Sequence, residues 1–303
     1  MSTSLLLAAA AVRQAHTDPT PGAQHNAVLA RACLERAGKT GRHLLRAVDT
    51  ALGRGLLRLV EAGCLPGIGA HYAWRKRRIG QWAAQACADG ARQVLILGAG
   101  LDGLSHRLLA QTPALHVFEF DRAGTLALKR DALRALRLDD PRLHLCPGEL
   151  GKVPLARWQR GLPGFVPEQP TLVIAEGVLM YLPLEATQAL LRQLARALPD
   201  ARLIATAMDL RPNGAPGFAR QRPWVRTWLE RRGEPFRWAA PRQALPVLLG
   251  HSGVRLTAIA EPGGPDDPDP APGEWVFRGD LLHPHHSVPA APAHARHRAP
   301  ALP

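Results

Sequence analysis

Hydrophobic and polar positions follow two different periods along this chain. Residues 1–70 are helical in composition and close on a Gly/Pro loop, Gly63-Cys64-Leu65-Pro66-Gly67. A clearer helix is predicted over about 74–88, where Ile79, Trp82, Ala83, Ala86 and Cys87 form one apolar stripe and Gly90 ends it. The period then changes. Residues 93–97 (QVLIL) are a short continuous apolar run that stops at glycine, the pattern of a strand buried on both faces. Further strands are predicted at 116–121 (HVFEFD), 142–146 (RLHLC), 171–175 (TLVIA) and 201–206 (ARLIAT). Helices at about 104–109, 125–136 and 184–198 separate them, the last with Leu190, Leu191, Leu194 and Leu198 on one face. Strand alternating with helix implies an α/β fold with a parallel sheet and right-handed crossovers.

After residue 208 the rhythm breaks. Residues 209–245 form a Pro/Gly/Arg-rich insert with helical pieces. Residues 253–260 and 274–278 read as strands around an acidic Pro/Gly linker at 262–273, which suggests an antiparallel pair at the sheet edge. The stretch 283–303 is low-complexity Ala, Pro, His and Arg and is expected to be disordered. The expected organisation is a helical N-terminal cap at 1–70, an α/β domain at 71–282 carrying the 209–245 insert over the site, and a tail.

Composition narrows the function classes. A hydrophobic fraction of 46% over 303 residues excludes wholesale disorder. The net charge of +13 raises the case for an anionic partner. Four of the 38 cationic residues are lysines (Lys39, Lys76, Lys129 and Lys152) and the other 34 are arginines. Their densest runs, at 75–78 and 220–242, lack the interleaved aromatics of a base-stacking surface, so nucleic acid is not expected as a partner. No apolar run approaches about 18 residues, so neither a spanning helix nor a membrane partner is expected. The N-terminus lacks the basic segment of an export signal, and a cytoplasmic location is the default. Cys33, Cys64, Cys87 and Cys146 contain no C-x-x-C, and the His-rich tail has no fixed ligand geometry, so no metal is expected.

The segment with most chemistry is Leu97-Gly98-Ala99-Gly100-Leu101-Asp102-Gly103. A strand ends, glycines permit a tight turn, and a helix starts, which lets an adenosine-type ligand approach the strand ends. Asp121 closes the next strand, where a carboxylate can accept from both hydroxyls of a ribose. To this point a dinucleotide and S-adenosylmethionine fit equally. Two features favour the second. Asp102 sits inside the turn, where it would repel a pyrophosphate but could face an ammonium or sulfonium charge. Glu176 follows the fourth strand, so Asp102, Asp121 and Glu176 would make an acidic pocket in a basic protein.

Several blocks together resemble the leucine carboxyl methyltransferase family of class I S-adenosylmethionine-dependent methyltransferases, including its bacterial polyketide-type O-methyltransferase branch. The blocks are Arg75-Lys-Arg77, the 93–102 strand and turn, Phe118-Glu-Phe-Asp121 with Lys129-Arg130, residues 169–182 (QPTLVIAEGVLMYL), and Gly233-Glu-Pro-Phe236. The resemblance covers roughly 70–260. It implies a Rossmann-like class I fold, with a mostly parallel seven-stranded sheet, helices on both faces and an antiparallel edge strand. Arg75 would pair with the cofactor's methionine carboxylate. Gly98, Ala99 and Gly100 would pass beneath the cofactor, with Asp102 shaping the turn. Asp121 would hold the ribose diol, and Glu149 and Leu150 would flank the adenine. Glu176 would lie near the methionine amino group and Tyr181 beside the transfer site.

The expected activity is methyl transfer from S-adenosylmethionine to a carboxylate or hydroxyl oxygen of a small, acidic or polyketide-like acceptor. Arg77, Arg78, Arg237 and Arg242 could bind an acidic acceptor. His71, Tyr181 and His251 are conceivable bases for a hydroxyl acceptor, none marked by its spacing. Two alternatives remain. One is an NAD-dependent oxidoreductase, from the literal G-x-G-x-x-G match. The other is a non-catalytic S-adenosylmethionine-binding module.

Overall fold

A computed structural model describes residues 3–150, 162–198, 200–262 and 270–282. The tail at 283–303 and most of the 262–273 linker lie outside the described residues. Four helices come first: α1 (Thr3–Ala15), α2 (Pro21–Arg36), α3 (Gly38–Asp49) and α4 (Ala51–Cys64). Helix α5 (Ile68–Ala88) leads into β1 (Gln93–Leu97), α6 (Leu104–Gln111), β2 (His116–Asp121), α7 (Ala123–Ala135), β3 (Leu143–Pro147) and β4 (Thr171–Ala175). A short 3-10 turn (Leu179–Tyr181), α8 (Leu184–Ala197), β5 (Arg202–Met208), α9 (Pro223–Glu230), α10 (Leu245–Gly250), β6 (Val254–Ile259) and β7 (Glu274–Leu281) complete the described order.

The seven strands form one sheet in the order β3-β2-β1-β4-β5-β7-β6. β1 to β5 run parallel, and β7 is antiparallel to both β5 and β6. The expected parallel sheet with an antiparallel pair at one edge is the observed one. β1, β2 and β4 have the predicted bounds: β1 and β4 are largely apolar runs that stop before Gly98 and Glu176, and β2 keeps Glu119 inside a buried run that ends on Asp121. β7 runs three residues further than predicted. Gly279 pairs with Leu203 on one side and Leu256 on the other, and a Cβ there would crowd the Arg255 carbonyl. Helix α5 starts six residues earlier than its apolar stripe suggests, because Gly67 at φ +83° turns the chain directly into it.

Alternation along each strand splits the core. Leu95, Leu97, Phe118, Phe120, Val173 and Leu203 pack on Leu190, Leu191 and Leu194 of α8. Val94, Ile96, Val117, Ile174 and Ile204 face the other way, onto Ile79 and Ala83 of α5 and Leu104 and Leu108 of α6. A third cluster joins α1, α2 and α3 to Ala132 and Leu133 of α7. That contact brings the N-terminal helices over the C-terminal ends of the strands. Helix α4 contributes no buried residue at all.

Candidate functional site

The strand order reverses between β1 and β4, which is where open α/β sheets leave a crevice at the strands' C-terminal ends. A cavity of about 470 Å³ lies there, within the size range of small-molecule and cofactor sites. All ten residues singled out from the sequence line it: Arg75, Gly98, Ala99, Gly100, Asp102, Asp121, Glu149, Leu150, Glu176 and Tyr181. Thr3, Ser4, Leu7, Ala8 and Ala11 of α1 form part of its wall, and Gly233 and Glu234 close another side. The Thr3 hydroxyl donates to the Glu234 carboxylate, and Arg122 stands 3.6 Å from the same group. The N-terminal helix is therefore tied to the 209–245 insert across the cavity.

The turn after β1 is held by its neighbours. Gly98 (φ +69°) and Gly100 (φ +56°) adopt the left-handed region that favours glycine. The N–H groups of Gly98 and Ala99 donate to the Phe120 carbonyl (2.8 and 3.1 Å). Gly100 N–H donates to Asp121 Oδ2 (2.7 Å), Gly103 N–H to Asn26 Oδ1 of α2 (2.9 Å), and Leu104 N–H to Asp102 Oδ1 (2.6 Å). A pyrophosphate-binding turn presents such donors to its ligand. Here protein oxygens occupy five of them, which removes the main support for the dinucleotide alternative.

Gly98 also leaves no room for a side chain, since a Cβ would overlap Val178 Cγ2. Gly98→Ala must strain the backbone or push Val178 into the cavity. The left-handed penalty alone is about 1–2 kcal/mol. The substitution is expected to weaken S-adenosylhomocysteine binding roughly tenfold or more by calorimetry, and unchanged affinity would contradict this geometry.

The charges are arranged differently from the acidic pocket expected. Arg75 Nε donates to Glu176 Oε1 (2.9 Å) and Arg75 Nη1 to Glu274 Oε2 (2.7 Å). Lys76 Nζ lies 2.5 Å from Asp102 Oδ2 and 2.9 Å from Glu176. Asp102 is thus a helix cap and an ion-pair partner. Burial would raise its carboxyl, but Lys76, together with Lys129 and the Leu104 N–H, holds it below the usual range. Burial would likewise lower the Lys76 ammonium, and Asp102 and Glu176 raise it instead. Two of the three carboxylates are neutralised from α5, leaving Asp121 as the one without a cationic partner among the described residues. Both Asp121 oxygens accept backbone N–H groups, from Gly100 and Arg122 (2.7 Å each).

Lys76 is not among the site residues named from the sequence, although its helical spacing carries a signal. Tyr72, Arg75, Lys76 and Ile79 are spaced i, i+3, i+4, i+7, the inward face of one helix. Asn26 had no such signal, because it reaches the turn from 77 residues away. Arg77, Arg78, Arg237 and Arg242 do not line the cavity, so the expectation that they bind an acceptor there is corrected. Arg77 faces Asp18 at 4.0 Å, Arg78 lies over Trp82, and Arg242 lies over Trp275 and pairs with Glu261. The insert reaches the cavity through Gly233 and Glu234 rather than through its arginines. Of the conceivable bases, His71 and His251 are off the cavity as well. His71 is buried, with Nε2 2.7 Å from Glu274 Oε2.

Glu274 anchors this network from β7. Burial alone would raise its carboxyl, but Arg75 and His71 bring it down from 4.5 to about 2. A depressed folded-state value stabilises the fold above the unfolded value and loses that contribution as pH falls towards 2. The difference corresponds to about 3 kcal/mol. Urea unfolding midpoints are expected to fall steeply between pH 5 and pH 2 in the wild type and less steeply in Glu274→Gln; parallel curves would exclude this carboxylate as the cause.

The leucine carboxyl methyltransferase family model matches residues 9–195, from α1 to the end of α8. The chain belongs to that family. The chain is 35% identical over 145 residues to a protein of Saccharopolyspora erythraea, across 46% of this chain and 44% of that protein. It is 30% identical over 221 residues to one of Mycobacterium sp. strain KMS, across 64% of this chain and 67% of the relative. Both are named, provisionally, as S-adenosyl-L-methionine-dependent methyltransferases. Less than half of the Saccharopolyspora protein is spanned. The crystal structure of a provisionally named methyltransferase from Thermobifida fusca YX shares the fold, with a TM-score of 0.54 and 18% identity over 85% of this chain and 95% of that one. Family, fold class and the cofactor type expected from the sequence agree with these findings. The family match includes the turn, Asp121, Glu176 and Tyr181.

Proposed function

We propose that this chain binds S-adenosylmethionine in the strand-end cavity and transfers its methyl group to an oxygen of a small, uncharged, hydroxyl-bearing acceptor. The observation that carries the cofactor assignment is Asp121. It stands at the end of β2 beside the glycine turn, with each oxygen oriented by one backbone N–H. A carboxylate has about four lone-pair sites, so two remain for a ribose diol. Arg75 uses two of its five N–H donors on Glu176 and Glu274, which leaves donors for the methionine carboxylate. Glu176 at the end of β4, held by Arg75 and Lys76, keeps spare lone pairs for the methionine ammonium, and Glu149 and Leu150 follow β3 on the proposed adenine side.

Bound there, S-adenosylmethionine supplies a methyl group on a positively charged sulfur, so that an attacking oxygen displaces a neutral thioether. The protein's part is to align the two and keep water out. Helix α1, latched by Thr3 to Glu234, supplies apolar cover from Leu7, Ala8 and Ala11. Burial pushes the Tyr181 phenol above its ordinary value, so it stays protonated at neutral pH and serves as a hydrogen-bond donor.

The lining charges support an uncharged acceptor over a carboxylate. Asp102, Glu119, Asp121, Glu149, Glu176 and Glu234 face the cavity, against Arg75, Lys76 and Arg122, with Lys129 behind Glu119 as a fourth cation. A second carboxylate would enter against an excess of negative charge. Calorimetry with S-adenosylhomocysteine and, in parallel, NADH tests the cofactor, with one-site binding of the first alone expected. Labelled methyl transfer to panels of phenols and carboxylic acids tests the acceptor. A preference for carboxylic acids would overturn the acceptor class and leave the cofactor assignment standing; NADH binding would overturn both.

A further inference from the structure

Helix α4 is built the wrong way round for a helix of a folded core. Leu52 is 87% exposed, Leu56 61%, Leu59 72% and Val60 51%, spaced i, i+4, i+7, i+8. That spacing makes one apolar ridge along the helix. Its opposite side carries Leu57, packed on the N-terminal cluster, and Arg54, which donates to the Val48 and Asp49 carbonyls. The ridge therefore points straight into solvent. The patch continues beyond the helix. Arg222 N–H donates to the Cys64 carbonyl at the end of α4 (3.0 Å), and Trp224, two residues on, is 55% exposed. Contiguous exposed apolar surface of this kind marks an interaction site.

The neighbouring surface is basic. On α3, joined to α4 through Thr50 alone, Lys39, Arg42 and Arg46 share one exposed stripe. Exposed Arg222, beside the end of α4, adds to it. Among the described residues none of these four has a carboxylate partner, while Asp49 beside them is taken by Arg31. An apolar ridge with an exposed tryptophan, flanked by uncompensated Lys and Arg, is the chemistry of a helix lying in a membrane interface. A nucleic acid would use the stripe and leave the ridge wet. A two-fold pairing of two copies through the ridge would gather two uncompensated basic stripes at one interface.

We infer that the α3–α4 face, with Trp224, docks this protein on an anionic lipid surface. The ridge enters the headgroup boundary and the stripe meets the lipid charges. This is peripheral contact, and no described helix is long and apolar enough to cross a bilayer. The surface is separate from the cofactor cavity, since none of Leu52, Leu56, Leu59, Lys39, Arg42 or Arg46 lines it.

Flotation of the full chain with phosphatidylcholine vesicles, with and without phosphatidylglycerol, tests this. Binding to the anionic vesicles is expected, weakening with added salt and nearly absent on phosphatidylcholine alone. Leu56→Glu/Leu59→Glu and, separately, Arg42→Glu/Arg46→Glu are each expected to lower vesicle affinity about tenfold or more. S-adenosylhomocysteine affinity should be unchanged in both, which also reports correct folding. Failure to bind anionic vesicles would overturn the inference, as would equal binding by the wild type and both double variants. A dimer of the wild type in lipid-free sedimentation, lost in Leu56→Glu/Leu59→Glu, would assign the ridge to a second copy and overturn it as well.

Discussion

Asp121→Ala is expected to lower S-adenosylhomocysteine affinity at least about 100-fold. The carboxylate has two jobs at one place. On the proposed function it offers its remaining lone pairs to the cofactor ribose, and its Oδ2 accepts from Gly100 N–H at 2.7 Å, which sets the end of the glycine turn. Hydrogen bonds to a charged group contribute about 1.5–3 kcal/mol each, and every 1.4 kcal/mol is a factor of about ten. Asp121→Asn separates the two jobs. Its amide oxygen can still accept from Gly100, so the turn survives, while the charge and part of the acceptor capacity are lost. An intermediate affinity is expected for Asn, with unfolding stability close to the wild type. Calorimetric affinities for both variants within about threefold of the wild type would remove Asp121 from the cofactor site and take the central support from the proposed function.

Lys129→Ala is expected to destabilise the protein by about 3–5 kcal/mol, the usual cost of breaking a buried ion pair from one side. Lys129 of α7 is fully buried, with Nζ 2.6 Å from Glu119 of β2. Burial pushes the Glu119 carboxyl up even with the ammonium beside it. Without Lys129 the carboxylate must ionise while buried beside Asp102, or keep its proton. The sign of the pH dependence follows. A raised folded-state value makes the neutral form the stable one, so the variant's deficit should grow from pH 5 to pH 8. Replacing both partners, as Lys129→Met/Glu119→Gln, should recover much of the loss, because no charge is then left unpaired. Urea unfolding of the three proteins at the two pH values decides the matter. A deficit in Lys129→Ala that is below about 1 kcal/mol, or that shrinks as pH rises, would show that the pair is not the determinant. The pair also bears on the site, because Glu119 faces the cavity two residues before Asp121 on the same side of β2.

Much of this protein is determined locally. The strands at 93–97 and 171–175 are apolar runs that suit a doubly covered sheet, 116–121 is buried with them although it holds Glu119, and each ends at or just before a glycine or a carboxylate. The same stops carry the chemistry. Gly98, Asp121 and Glu176 stand at or just past strand ends, so finding the strands also found the cavity's floor. The tertiary structure alone decided how charge is distributed there. Arg75 meets Glu274 across 199 residues of sequence, and Asn26 meets Gly103 across 77. Which of many arginines faces a cavity depends on helix rotation and on partners brought by other elements, and a net charge contains neither. Composition therefore suggested an arginine-lined acceptor site, while packing sent those arginines elsewhere and put Lys76 between two carboxylates. The outward ridge of α4 has the same origin. Its periodicity is written in residues 52–60, but an apolar stripe reads alike whether a core or solvent lies against it, and only the packed helices show that this one faces out.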